Sequence, residues 1–455
     1  MLDIVILAAG KGTRMRSATP KVLQTIAGLP MVSHVYQAAS ALPGNNAPPV
    51  IVVGHGGAEV KENFSSQTVQ WAEQNQQLGT GHAVQAALPH LGESTTTLIL
   101  YGDVPLIQPK TLQRLSAQCN GEQLTLLTVN LADPSGYGRI VREPSDNSIV
   151  AIVEEKDASD AQKKIAEINT GIMAVPTDKL RDWLPQLSNN NAQQEYYLTD
   201  IVAMAKRDGT TITSCQPQDL WEVEGVNNRQ QQATLERQYQ LNQANAYMQK
   251  GLMLLDPTRF DCRGSLIFGQ DVCIDINVII EGNVELGDGV TIGPNCIIKN
   301  ATIAAGSRIE ANSMIDNSQL DTHCTVGPFA RLRPGSVLQA KAKVGNFVEI
   351  KKSVIGKGSK VNHLSYIGDC DMGTGVNIGA GTITCNYDGV NKFKTVIGND
   401  CFVGSNTALV APVELARDSC IGAGSTITKS TEAQDLAIAR AKQRNLPGWQ
   451  KPTKQ

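Results

Sequence analysis

Two stretches of the chain place side chains that could do chemistry. The first is Leu7–Ala8–Ala9–Gly10–Lys11–Gly12–Thr13–Arg14–Met15, which follows an apolar run and has Pro20–Lys21–Val22 close behind it. Glycines at the carboxyl end of a first strand let backbone N–H groups approach a phosphate. A G-x-G after a strand fits a plain turn equally well. Arg14 and Lys21 favour the phosphate, because two cations beside such a cradle suit an α-phosphate under nucleophilic attack. The run lacks the P-loop spacing, and Met15 stands where the dinucleotide fingerprint needs its third glycine. Tyr101–Gly102–Asp103 closes another apolar run. A lone aspartate there is either a strand-end cap or a magnesium ligand, since Mg²⁺ takes one or two carboxylates together with phosphate oxygens and water. The second stretch centres on His363. An outward imidazole serves as a general base near neutral pH, and Glu349 is a candidate to orient its ring and hold its tautomer.

The elements that must carry these groups change character along the chain. Up to about residue 227, apolar runs alternate with helical patterns, with strands at Ile4–Leu7, Val50–Val53 and Leu98–Tyr101 and helices at Met31–Leu42, Gly81–Leu91 and Thr111–Gln118. Further strands follow at Leu124–Val129, Ile149–Val153, Gly171–Val175 and Thr211–Cys215. This order predicts βαβ units in a mainly parallel sheet, which binds ligands at the carboxyl ends of its strands. Residues 228–250 carry Leu235, Tyr239 and Tyr247 at helical spacings without proline, and predict one connecting helix closed by Gly251.

From about 272 to 430 the period becomes six, as in Leu320, Val326, Leu332, Leu338, Val344 and Ile350. Gly, Asp or Asn often follows the aliphatic residue, and a small or β-branched residue often lies four on, as in Ile421–Gly422 with Ser425. This pattern predicts a parallel β-solenoid, in which each rung buries its aliphatic residue only because neighbouring coils stack on it. The aliphatic residue and the one four later point inward, and those one, two and five later point outward. His363, two past Val361, is therefore available to a substrate. The rhythm slips to five at 298–303, 315–320 and 350–355, and it breaks at Cys385–Thr395, which must leave as a loop. Interruptions of this kind are where function is added to a solenoid.

Composition excludes several classes. The 455 residues carry a formal net charge of −3 with both signs mixed, so no basic field for nucleic acid exists. The ten cysteines form no C-x-x-C pair, and several fall at small inward positions of the repeat, which predicts buried, reduced thiols and a cytoplasmic protein. Asp3 stands where a signal peptide would need basic residues, and no run approaches the roughly 18 apolar residues of a membrane span. His34, His55, His82, His90 and His323 have no chemical company and are read as structural.

LAAGKGTRM, PKVL, QLGTGHA, YGDVPLI, GYGRI, VEEKDA, INTGI and EVEGVNNR together resemble the sugar nucleotidyltransferases. With the solenoid appended, essentially the whole chain resembles the bifunctional enzymes that join an N-acetylglucosamine-1-phosphate uridyltransferase to a glucosamine-1-phosphate acetyltransferase. The resemblance implies a Rossmann-like α/β domain over 1–227, a linker over 228–250, and a left-handed parallel β-helix with a tail over 251–455. It implies that UTP or the UDP part of the product meets Leu7, Ala8, Ala9, Gly10, Lys21, Gln74, Gly79 and Thr80, along the edge that carries Tyr101, Gly102 and Asp103. Gly138, Glu154 and Asn169 would hold the sugar, and Asp103 and Asn227 would bind Mg²⁺. Asn169 and Asn227 also suit turn caps.

The same resemblance implies three hexads per coil, so residues 18 apart stack on one face. Arg333 then lies over Lys351, a two-cation patch suited to a sugar phosphate, and Ser405 over Ala423, on a strip suited to an extended cofactor such as acetyl-CoA. The family pattern further implies His363 as base, Tyr366 and Asn377 as sugar-phosphate contacts, and Ala380, Asn386, Tyr387 and Arg440 as acetyl-CoA contacts. Trimers with the acetyl-transfer site between subunits complete the expectation. Two other readings stand beside it: a nucleotidyltransferase whose solenoid only oligomerises or regulates it, and a solenoid binding protein without catalysis.

Overall fold

The computed structural model describes residues 2–44 and 47–454. The chain divides into two compact units between Tyr239 and Gln240, within the helix Arg229–Gln249.

The first unit is built on a sheet with strand order Ile212–Cys215, Leu124–Asn130, Glu167–Pro176, Thr96–Tyr101, Leu2–Leu7, Val50–Val53, Gln70–Glu73, and with Arg139–Arg142 and Ile149–Val153 attached beside it. Every residue of Leu2–Leu7 is buried. Its side chains alternate between two cores as a strand's period of two requires. Val5 and Leu7 face the helices Thr80–Ala87, Thr177–Trp183 and Ile201–Arg207. Ile4 and Ile6 face Met31–Ser40 and Pro109–Cys119. From this central strand the chain goes to Val50–Val53 on one side and later to Thr96–Tyr101 on the other, all parallel. That reversal is the switch point at which open α/β sheets bind ligands.

The sheet is mainly parallel, as expected, including the edge pair Ile212–Cys215 and Leu124–Asn130, with one reversed strand and an attached antiparallel pair. Glu167–Pro176 runs antiparallel to both neighbours, and Arg139–Arg142 pairs antiparallel with Ile149–Val153. A parallel crossover usually needs a full helix, and the only helix between Asn130 and Glu167 is the four-residue Asp160–Lys163. The helix expected at Met31–Leu42 ends at Ser40, and the one expected at Gly81–Leu91 starts at Thr80 and passes into a 3₁₀ turn at Leu88–His90.

The second unit is a parallel solenoid, with coils running from Met253–Leu254 to Leu436–Ala437. The predicted inward residues are buried in one continuous core, among them Val344, Ile350, Val361, Ile367, Val403 and Ile421. Coil length varies. Leu332 pairs with Ile350 and Val403 with Ile421, 18 residues apart, whereas Val344 pairs with Val361, 17 apart, and Ile378 with Val403 across the interrupting loop. Gln240 caps the first coils, accepting from the Cys262 N–H at 2.7 Å and donating to its carbonyl at 3.2 Å. Six of the ten cysteines are buried and all ten are free. Burial pushes the Cys296 and Cys324 thiols up to about 11 and Cys370 up to about 12, which keeps them protonated and inert.

Candidate active sites

In the first unit the carboxyl ends of neighbouring strands bring the predicted residues together. Leu7 pairs with Tyr101. The Gly102 N–H donates to the Leu7 carbonyl at 2.9 Å, the Ala8 N–H to the Val52 carbonyl at 2.9 Å, and the Gln74 N–H to the Val53 carbonyl at 2.8 Å. One sheet edge therefore carries Ala8–Ala9–Gly10, Gly102–Asp103 and Gln74. It opens on a cavity of about 270 Å³ lined by Leu7, Ala8, Ala9, Gly10, Lys21, Gln74, Gly79, Thr80, Tyr101 and Asp103, and by four residues that sequence reading did not assign to the site, Val22, Gln77, Ala83 and Glu195. A Cβ at Gly10 would meet nothing within 4 Å, so the loop leaves open space beside its backbone. Gly79 has φ 110°, and a Cβ there would lie 2.6 Å from the Tyr196 carbonyl oxygen. Glycine alone allows the chain to enter the helix Thr80–Ala87 at this wall. Gln74 is buried; its Nε2 donates to the Gly79 carbonyl at 3.0 Å and lies 3.1 Å from His82 Nδ1. His82 therefore supports the site, which its sequence surroundings did not reveal.

Lys21, Arg14, Asp103 and Asn227 form one cluster at the cavity edge. The Lys21 ammonium forms an ion pair with Asp103 and donates to Asn227 Oδ1 at 3.4 Å. Arg14 donates to the same oxygen at 2.9 Å. The Val226 N–H, donating to the Asp103 carbonyl at 2.9 Å, fixes the two segments side by side. Two hard oxygens, one carboxylate and one amide, thus converge on a single cation. That donor set fits Mg²⁺ completed by phosphate oxygens and water.

On the other side of Tyr101 lie Gly138, Glu154 and Asn169. The Asn169 N–H donates to the Gly138 carbonyl at 2.8 Å, and its side-chain oxygen accepts from the Gly171 N–H at 3.1 Å. A Cβ on Gly138 would stand 3.4 Å from both Glu154 carboxylate oxygens. Thr199 donates to Glu154 Oε1 at 3.0 Å. Burial pushes the Glu154 carboxyl above its ordinary range; the Thr199 hydrogen bond opposes this, and Asp200, Asp157 and Glu195 add to it. Burial likewise raises the Tyr101 phenol well above its usual value.

In the solenoid, the Leu332–Ile350 and Ile350–Ile367 registers set Lys351 one coil on from Arg333, and Gly368 one coil on from Lys351. Tyr366, paired with Glu349, lays its ring across Gly368, where a Cβ would come within 2.6 Å of a ring carbon. Arg333, Lys351 and Tyr366 thus share one patch. Asn377 does not join them on this chain, because it pairs with Lys360 and Phe402 on the face that carries His363.

His363 is exposed, as its place in the hexad predicts. Its expected partner is corrected: Glu349 accepts from Arg333 Nη1 at 2.8 Å and lies 3.9 Å from Arg331, while His363 Nδ1 is 2.7 Å from Asn346 Oδ1. The reason is register. Glu349 stacks between Arg331 and Tyr366 on one face, and Asn346 stacks directly against His363 on another.

Ser405 and Ala423 stack on adjacent coils, as their 18-residue spacing predicts. The Asn406 N–H donates to the Ala380 carbonyl at 2.7 Å and the Gly424 N–H to the Ser405 carbonyl at 2.8 Å, so Ala380, Ser405 and Ala423 follow one another on successive coils. Arg440 Nη1 reaches the Ala423 carbonyl at 2.6 Å. The interrupting loop leaves after Ile383–Cys385 and returns at Thr395–Ile397. Within it Asn386 is buried and donates to Asp369 Oδ2 at 2.5 Å, and Tyr387 stands exposed beside a bridge to Lys392.

Three family models match parts of the chain. Residues 4–143 match the MobA-like NTP transferase domain, 262–344 the GMPPB C-terminal domain, and 394–429 six bacterial transferase hexapeptide repeats. A nucleotidyl transferase structure from Methanothermobacter thermautotroptrophicus is similar over 52% of this chain and 97% of its own, at 18% identity and a TM-score of 0.38. Bifunctional protein GlmU of Cellvibrio japonicus is 60% identical over 100% of both chains. That of Pseudomonas putida is 56% identical over 100% of this chain and 99% of its own, and that of Acinetobacter baylyi 55% over 99% and 98%. Identity of this order along the full length, with a transferase domain at one end and hexapeptide repeats at the other, places the chain in the family of the bifunctional GlmU proteins.

Proposed function

We propose that the two constellations carry the two transfers of this bifunctional enzyme, with residues 1–227 as uridylyltransferase, 228–250 as helical linker and 251–455 as acetyltransferase. The enzyme transfers acetyl from acetyl-CoA to the amine of glucosamine-1-phosphate, and UMP from UTP to N-acetylglucosamine-1-phosphate with release of pyrophosphate.

In the first unit, the backbone of Leu7–Gly10 with Gln74, Gly79, Thr80, Tyr101 and Gly102 takes the nucleotide, and Gly138, Glu154 and Asn169 take the sugar. Arg14 and Lys21 neutralise the phosphates while the sugar-phosphate oxygen attacks the α-phosphorus in line; one P–O bond forms as the bond to pyrophosphate breaks. No covalent enzyme intermediate is needed. Asp103 and Asn227 would hold Mg²⁺, which supplies positive charge to phosphate oxygens. The observation that carries this assignment is that Lys21 lines the cavity and also touches both Asp103 and Asn227.

In the solenoid, Arg333, Lys351, Tyr366 and Asn377 bind glucosamine-1-phosphate, and Ala380, Asn386, Tyr387, Ser405, Ala423 and Arg440 bind acetyl-CoA. The neutral amine attacks the thioester carbonyl, His363 takes the amine proton, and the thiolate of coenzyme A leaves. The flat coils suit a homotrimer, which would bring Asn377 of one copy and the Arg333 patch of the next to one substrate. No helix among the described residues is long and apolar enough to cross a membrane, and a cytoplasmic location fits the free, mostly buried cysteines.

A coupled assay tests this reading. Glucosamine-1-phosphate, acetyl-CoA, UTP and Mg²⁺ together should yield UDP-N-acetylglucosamine; leaving out acetyl-CoA should stop it, and N-acetylglucosamine-1-phosphate should restore it. No product with all four present, or product without acetyl-CoA, overturns the assignment.

A further inference from the structure

We infer that Asn346 is the positioning residue of acetyl transfer, holding His363 in the one tautomer that can act as a base. The inference rests on His363 being that base. Val344 pairs with Val361 and Asn346 with His363, so the two side chains leave the solenoid side by side from adjacent coils. Asn346 Oδ1 lies 2.7 Å from His363 Nδ1, a full-strength hydrogen bond. A side-chain amide oxygen can only accept, which places the proton on Nδ1 and leaves the Nε2 lone pair free toward solvent. An exposed imidazole without such a partner would divide its time among rotamers and both tautomers, and only one of these presents Nε2 as a base.

The backbone makes this pairing stiff. Leu364 follows His363 with φ 47° and its N–H donates to the Asn346 carbonyl at 3.1 Å, so the corner is clamped to the same residue that holds the ring. Gly345, the residue before Asn346, faces the Asn362 backbone so closely that a Cβ there would lie 2.8 Å from the Asn362 carbonyl carbon. Glycine at 345 thus lets the two coils approach near enough for the side chains to meet. The acidic candidate nearby, Glu349, is engaged by Arg333 at 2.8 Å and does not compete for Nδ1.

The test is made on the full-length enzyme with three variants and two readouts. Ring ¹⁵N spectra of histidine-labelled protein should show His363, identified by its absence in His363→Ala, with a protonated Nδ1 and an unprotonated Nε2. In Asn346→Leu this pattern should give way to a tautomer mixture, and kcat for acetyl transfer should fall roughly tenfold to a hundredfold, by analogy with removal of the outer partner of a metal-bound histidine. KM for both acetyl-transfer substrates and all uridylyl transfer should stay as in the parent. Asn346→Asp, which keeps an acceptor at the same place, should recover most of kcat. A protonated Nε2 in the parent, or an Asn346→Leu enzyme with undiminished kcat, overturns the inference. Acetyl transfer surviving in His363→Ala would instead overturn the base assignment, leaving the tautomer result to stand or fall by itself.

Discussion

Gly368→Ala separates the sugar-phosphate patch from the fold that carries it. Gly368 occupies the coil after Lys351, and the Tyr366 ring lies where a Cβ would stand, with ring carbons 2.6 and 2.9 Å away. The added methyl must push the ring off the cation column. Tyr366 is half-buried at the surface and can swing outward, so global stability should change by less than about 1 kcal/mol. On the proposed assignment, what is lost is a hydrogen bond from the phenol to the charged sugar phosphate, worth about 1.5–3 kcal/mol. At about 1.4 kcal/mol per decade this is roughly a tenfold to hundredfold fall in kcat/KM for glucosamine-1-phosphate. Acetyl transfer followed by thiol release, with each substrate varied in turn, should show the fall on the sugar phosphate and leave KM for acetyl-CoA unchanged. Tyr366→Phe should reproduce most of it. An unchanged kcat/KM in Gly368→Ala, with its thermal midpoint also unchanged, would refute the placement of Tyr366 in the site.

Three further outcomes follow from particular contacts. Glu349→Gln should raise KM for glucosamine-1-phosphate by freeing Arg333 from its 2.8 Å partner, with kcat little changed; a loss confined to kcat would return Glu349 to the role of orienting His363. Gly79→Ala forces a side chain into φ 110° against the Tyr196 carbonyl and should cost about 1–3 kcal/mol of stability in the first unit. Its uridylyl transfer should be lost and its acetyl transfer kept, as separate half-reaction assays would show. Glu154, whose folded pKa is raised mainly by burial, binds its proton more tightly folded than unfolded. Its ionisation therefore weakens the fold as pH rises through the unfolded and then the folded value. Glu154→Gln should raise the thermal midpoint at about pH 8 and leave it unchanged near pH 3, well below the unfolded value, where both states are protonated; a stabilisation equal at both pH values would contradict the burial argument.

The inward columns of the solenoid were legible because an aliphatic residue every six positions can bury itself in no other periodic way, and Val361 at the base of the ladder already turns His363 outward. The partner of His363 was not legible. A uniform 18-residue offset sets His363 over Gly345, but the slip between Ile350 and Ile355 shortens that coil to 17 and sets it over Asn346. Charge made Glu349 the obvious choice from sequence, and only the observed column shows Arg333 engaging it. In the first unit, the glycines and cations of residues 7–21 announce a phosphate site by local chemistry. Asn227 meets Lys21 from more than 200 residues away, so only resemblance to a family could bring it into the site. The direction of Glu167–Pro176 was not legible for a related reason: its apolar run marks a buried strand, while direction depends on connections that carry no period of their own.

The central claim is that the two units of the sequence supply two separate catalytic centres. The most direct test measures both half-reactions in two single variants, Lys21→Ala and His363→Ala. Lys21→Ala should lose pyrophosphate release from UTP and N-acetylglucosamine-1-phosphate while acetylating glucosamine-1-phosphate at the parental rate, and His363→Ala should do the reverse. Either variant losing both activities while still folded, or keeping both, would contradict the account.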